Sequence, residues 1–181
     1  MNLLLGLARV YLPAAFARRR LNRLVAATAD AFQRPAPDIS GLSYRESLVA
    51  FAVFSGDCAE ACLSLPEGQH EVRRRLFDAA QAIGQELRRS LRVTTGQQVA
   101  SALRIAYQAL GIAFEGTSYG EVVIPRCLFS SYYSGPVCRV MEALDQGLAC
   151  GLSGGARLTF FCRITEGSPV CRAVLEPPPA L

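Results

Sequence analysis

The sequence predicts an α+β domain, with N-terminal helices packed on a four-stranded antiparallel sheet of β-β-α-β-β order. Three observations carry this expectation. The first two-thirds of the chain hold long segments with apolar residues at helical spacing. Beyond Gly111 the pattern shortens into four β-branched and aromatic runs, arranged as two hairpins around one further helix. Of the 181 residues, 51% are apolar, enough for a sizeable core and too many for a disordered chain. Helices segregated to one face of an antiparallel sheet are the layered arrangement such an order produces.

Residues 1–33 are read as a helical appendage. The run LLLGLARVYL over 3–12 is apolar on most faces, and Pro13 restarts the chain at a favoured first helical position. Over 14–33, Arg18, Arg19, Arg20 and Arg23 stand opposite Leu21, Leu24 and Val25. This segment is expected to pack on the domain or to form a homodimer contact, because exposed apolar stripes seek partners. A peripheral membrane contact through the arginines is the alternative. A Pro-rich connector, 34–42, leads to a single α+β domain over 43–176, and a Pro-rich tail closes the chain over 177–181.

Within the domain, Ser43 and Glu46 fit a capping box opening a helix to about Leu63. Its run LVAFAVF is apolar all round, which predicts a helix buried near the centre. Cys58 and Cys62 share one face of it and read as small buried hydrophobes. Pro66 opens a helix over 67–92 with the stripe Val72, Leu76, Ala79, Ile83, Leu87 and Leu91, and His70 in its first turn reads as solvated. Thr95 and Gln98 form a second capping box, for a helix that stops at Gly111. Strands follow over 112–117 and 121–127. Ser134-Gly135-Pro136 caps a helix to about Cys150, 151–155 is a loop, and 156–164 and 170–176 form the second hairpin.

Composition excludes several chemistries. Every basic residue apart from His70 is arginine, so lysine mechanisms are absent, and one histidine leaves little material for triads or histidine-rich metal sites. No nucleotide cofactor is expected. The net charge of +4 is mild, the arginine runs read as solvated helix faces, and no nucleic-acid partner is expected. Ala15-Phe16-Ala17 resembles a signal cleavage site, but Arg9 interrupts the apolar run and three arginines follow. The expected location is cytoplasmic, with reduced thiols.

Five of the seven cysteines lie between Arg126 and Arg172. If Ile164 pairs with Pro169 across the turn Thr165–Ser168, Cys162 faces Cys171 with Cβ atoms about 5 Å apart. Cys127 ends a strand, and Cys138 sits near a helix start, where the macrodipole favours a thiolate. Cys127 or Cys138 is therefore a candidate nucleophile, the side chain least dependent on a partner base. Asp145 or Glu142 would move protons. Arg126, Tyr132, Tyr133 and Arg163 are the candidates to bind a carboxylate-bearing substrate.

The pattern Cys127, Pro136-Val137-Cys138, Leu144-Asp145-x-Gly147 and Arg163-x3-Gly167-x3-Cys171 resembles the L-2-amino-thiazoline-4-carboxylic acid hydrolase family, and also the related 4-vinyl reductase small-molecule-binding domains. The likeness is clearest from about 110 to 172. The first resemblance implies a cysteine-dependent ring-opening hydrolase of carbon–nitrogen bonds in a small cyclic C=N or thiazoline-type carboxylate. The second implies a ligand-binding or sensor domain stapled by zinc. Cys138, Cys162 and Cys171 match its ligand positions, Thr159 stands where a glutamate is common, and Cys127 is the natural fourth ligand. Four cysteines suit tetrahedral zinc, with bonds of about 2.3 Å, or an iron–sulfur cluster.

Overall fold

The computed structural model describes residues 14–64 and 66–178. The apolar run 3–12 and the end of the tail lie outside them. The elements are α1 (Ala14–Ala31), α2 (Tyr44–Leu63), α3 (Pro66–Leu91), α4 (Gly96–Ala109), β1 (Ile112–Glu115), β2 (Gly120–Cys127), α5 (Gly135–Ser153), β3 (Arg157–Cys162) and β4 (Cys171–Glu176). Short 3-10 turns follow β2 and β3, at Leu128–Ser131 and Ile164–Glu166.

Local chemistry sets the helix starts. The Ser43 hydroxyl accepts from the Glu46 N–H at 3.2 Å, and the Glu46 carboxylate accepts from the Ser43 N–H at 2.7 Å. Thr95 and Gln98 repeat this at α4. Ser134 caps α5 by accepting from the Val137 N–H at 3.3 Å. This helix runs past the expected stop to Ser153, because the residue that leaves the helical conformation is Gly154, at φ 84°. Gly151 is helical and serves packing instead.

The four strands form one antiparallel sheet, covered by helices. Across the sheet the strands run β1-β2-β4-β3, which the expected β-β-α-β-β order does not describe. The last strand lies inside, between β2 and β3, and β1 and β3 are the edges. The register also corrects the expected cysteine pair. Leu158 opposes Leu175 and Phe160 opposes Ala173, but a bulge then places Cys162 opposite Arg172. Phe161 in the bulge is 59% exposed. Cys171 instead stands opposite Ile124 of β2. A slip of one residue separates the two thiols that an ideal hairpin would align.

The inner sheet face, with Val122, Ile124, Leu158, Ala173 and Leu175, shares a core with Leu21, Val25, Phe51, Leu103, Tyr107 and Leu152 from the helices. The segment expected as an appendage thus supplies Leu21 and Val25 to the common core. A smaller cluster joins Ala31, Ala59, Leu76, Val137, Val140 and Met141. Each large side chain so buried contributes about 1.5–3 kcal/mol. Helix α2 is not buried all round: Phe51, Ala52, Ser55 and Ala59 face inward, but Val53 is 45% exposed. The central helix pair is α3 with α5, which share the most extensive helix–helix contact.

That contact depends on glycine. A Cβ on Gly84 would lie 2.6 Å from the Leu148 carbonyl oxygen. A Cβ on Gly147 or Gly151 would overlap the carbonyl oxygens of Phe77 or Gln81. The two backbones approach so closely that only hydrogen fits between them. Among the described residues, no helix is long and apolar enough to cross a membrane.

Candidate functional site

The tight α3–α5 crossing fixes which face of α5 is left over. Val140, Ala143, Gly147 and Gly151 are buried in packing, while Cys138, Met141, Asp145 and Leu148 recur at helical spacing on the adjoining face. These last four line a partly open cavity of about 520 Å³ between the helices and the inner end of the sheet. Ala102, Ala106 and Ala109 on α4 present short side chains to it and leave its volume open. Leu21, Leu24, Phe51, Ile83, Leu87, Ile105 and Phe129 make most of the remaining wall apolar.

Polar groups gather around Asp145. The Tyr107 hydroxyl donates to Asp145 Oδ1 at 2.7 Å, and the Tyr107 ring stacks on Phe114 with centroids 5.3 Å apart. The other oxygen, Oδ2, has no hydrogen-bond partner among the described residues. Asp145 keeps part of its surface accessible, and it lines the cavity. Burial raises its carboxyl to about 7; the hydrogen bond from Tyr107 opposes this, Glu142 adds to it, and Arg163 opposes it. Nearby, the hydroxyls of Tyr133 and Ser55 lie 2.6 Å apart.

Of the residues expected at the site, the fold brings Cys127, Cys138, Cys171, Tyr133 and Asp145 to the cavity wall. Cys162, Arg126, Tyr132 and Arg163 do not line it. Arg126 is exposed, and Tyr132 is 42% exposed. Arg163 is drawn into ion pairs with Glu142 and, at 3.6 Å, with Glu166. Cys162 stays at the β3–β4 turn, where its Sγ lies 3.6 Å from the Val170 carbonyl oxygen and 3.6 Å from the Ser168 hydroxyl. Cys150 lies away from the cavity, accepting from the Gln81 amide at 3.2 Å.

Two expectations about the thiols are corrected. Cys138 does occupy the first turns of α5, but burial pushes its thiol up to about 11, against a hydrogen bond with Thr165. Burial pushes Cys127 to about 12, and also raises Cys171. Burial thus works against the thiolate at all three positions. The expected zinc or iron–sulfur site at Cys127, Cys138, Cys162 and Cys171 is likewise overturned. Among the described residues, no group of three or more His, Cys, Asp or Glu side chains is placed to hold a metal. The bulge sends Cys162 to the turn, away from the other three thiols, which line the cavity.

Tyr107, Ser130, Thr165 and Met141 also line the cavity and were not singled out from the sequence. The spacing Cys138-x2-Met141-x3-Asp145-x2-Leu148 was a usable signal, as was the helical Gly147-x3-Gly151 that marks the opposite face.

Fold and site together define a helix-covered α+β domain with a partly open apolar cavity whose described wall carries the carboxyl of Asp145. Comparison with known protein families, curated proteins and solved structures finds no match. The family resemblance rests on the quoted residues alone.

Proposed function

We propose that this protein binds a small, largely apolar molecule in the cavity between its helices and its sheet. The supporting observation is the cavity itself. Its volume of about 520 Å³, its apolar wall and its few convergent polar groups match the form of small-molecule sites. Titration with a solvatochromic apolar dye tests the reading. Saturable binding at one site is expected, weakened at least about tenfold in an Ala106→Phe variant whose ring fills the volume. Dye binding unaffected by Ala106→Phe, with the variant folded, would reject the cavity as the site.

A second reading, a cysteine-dependent hydrolase acting on a cyclic C=N bond, draws support from Cys127, Cys138 and Asp145 lining one volume. In this scheme Asp145 takes the thiol proton as sulfur bonds to the C=N carbon, and the proton passes to nitrogen. The ring carbon–sulfur bond then breaks, the ring sulfur leaving as a thiol with a proton from nitrogen, and water adds to the same carbon and expels the cysteine thiol. Turnover of a 2-amino-thiazoline carboxylate that vanishes in a folded Cys127→Ser or Cys138→Ser variant would establish it. An inactive wild-type protein would reject it for that substrate class.

A further inference from the structure

Among the described residues, Asp145 is the only carboxylate on the cavity wall. One of its oxygens is satisfied by Tyr107, and the other has no partner among the described residues. Arg163 favours the charged form of Asp145 from a distance but makes no hydrogen bond to it. Arg163 is engaged by Glu142 and Glu166 and does not line the cavity. Arg20, the other charged group on the wall among the described residues, stands on α1 beside Glu86 at 3.7 Å. A carboxylate in apolar surroundings carries a heavy desolvation cost unless a partner charge or hydrogen-bond donors meet it. The remaining described wall supplies hydrocarbon, thiols and hydroxyls, so a cation on the ligand is the group that complements Asp145 there.

We infer that the ligand of this cavity is an apolar molecule with one protonated nitrogen, an amine or amidine, whose N–H groups pair with Asp145. This rests on the binding reading above and adds the chemistry of the ligand's polar end. A charge-assisted hydrogen bond from nitrogen to Oδ2 is stronger than one between neutral groups, and a largely apolar wall strengthens it. The titratable and charged groups acting around Asp145 are Tyr107 from α4, Cys127 from β2 and Tyr133 after it, Cys138 and Glu142 from α5, Arg163 after β3, and Cys171 from β4. The hydroxyls and thiols in that set remain neutral through the neutral range, and Glu142 is paired with Arg163.

Calorimetric titration with decylamine, decanol and decanoate isolates the head group, since the three share one chain. At about pH 8, where Asp145 is largely ionised, wild-type protein is expected to bind decylamine at least about tenfold more tightly than decanol, with decanoate weakest. The amine's advantage is expected to disappear in Asp145→Asn, and in wild-type protein at about pH 5, while decanol keeps its affinity. The pH arm holds even if the variant fails to fold. Equal binding of amine and alcohol, tightest binding of decanoate, or an amine preference that survives Asp145→Asn would each overturn the inference. Binding of decanol alone would leave the cavity reading standing. Failure of all three to bind would remove both.

Discussion

Helix α5 has two working faces, and they treat space in opposite ways. Along Gly147 and Gly151 it meets α3 with no room for a methyl group. Along Cys138, Met141, Asp145 and Leu148 it borders about 520 Å³ of open cavity. The first face contributes stability through close packing. The second forgoes that contact and buries a carboxyl, which costs stability. A domain keeps such a cost where the unfilled volume and unsatisfied group serve binding, and stability is supplied elsewhere. The contrast teaches that the rigid crossing is what holds the open face open: α5 cannot rotate or shift to fill the cavity without driving its glycines into the α3 backbone.

The largest expected effect lies on the packed face. Gly147→Ala gains helix propensity worth up to about 1 kcal/mol, yet its Cβ would overlap the Phe77 carbonyl oxygen. A net loss of about 3 kcal/mol or more is expected in urea unfolding, because backbone on both sides has to move. Gly68→Ala is the internal control. It sits in α3 with nothing within 4 Å of the added atom, so a gain of about 0.5–1 kcal/mol is expected. Equal responses at the two positions would show that the crossing is looser than described.

The next effect lies on the open face and has the opposite sign. The Asp145 carboxyl ionises at about 7 when folded, against 3.8 ordinarily. The folded state therefore binds more protons than the unfolded state between those values. Stability from this group is fully present below about pH 4, falls as pH rises through the window, and is flat above about pH 7. Asp145→Asn removes the fall and can still accept from Tyr107. It is expected to be more stable than wild type by about 2–4 kcal/mol at pH 8, with the gain vanishing near pH 4. A loss of stability at pH 8 would mean that the carboxylate has a partner and is not held at a cost.

Much of this contrast was legible in the sequence, and the exceptions have physical causes. The two capping boxes and the cap at Ser134 were readable because their partners lie within three residues. The four strands were readable from short β-rich runs, but their order across the sheet was not, since pairing between hairpins is non-local. The expected thiol pair failed because one bulge at Phe161 is invisible to alternation counting, and it moves Cys162 to Arg172. The α2 run LVAFAVF predicted full burial, but an apolar sequence cannot say how many neighbours surround it, and Val53 faces out. Cys127, Cys138 and Asp145 were identified individually. Their charge states were not, because burial is set by the whole fold and here raises all three groups.

The smallest change in stability, and the sharpest test of the open face, comes from the thiols. A free cysteine of pKa about 8.5 is about one-quarter thiolate at pH 8, and only the thiolate reacts with iodoacetamide. With Cys138 at about 11 and Cys127 at about 12, the thiolate fraction falls at least about a hundredfold. Alkylation followed residue by residue by mass spectrometry is expected to show both reacting at least about a hundredfold more slowly than free cysteine. Decanol occupying the cavity should slow them further, because reagent and ligand compete for the same volume. Fast labelling of Cys138 would mean that the N-terminus of α5 outweighs burial. The open face would then carry a reactive sulfur beside a proton acceptor, and the hydrolase reading would displace simple binding as the account of why this cavity exists.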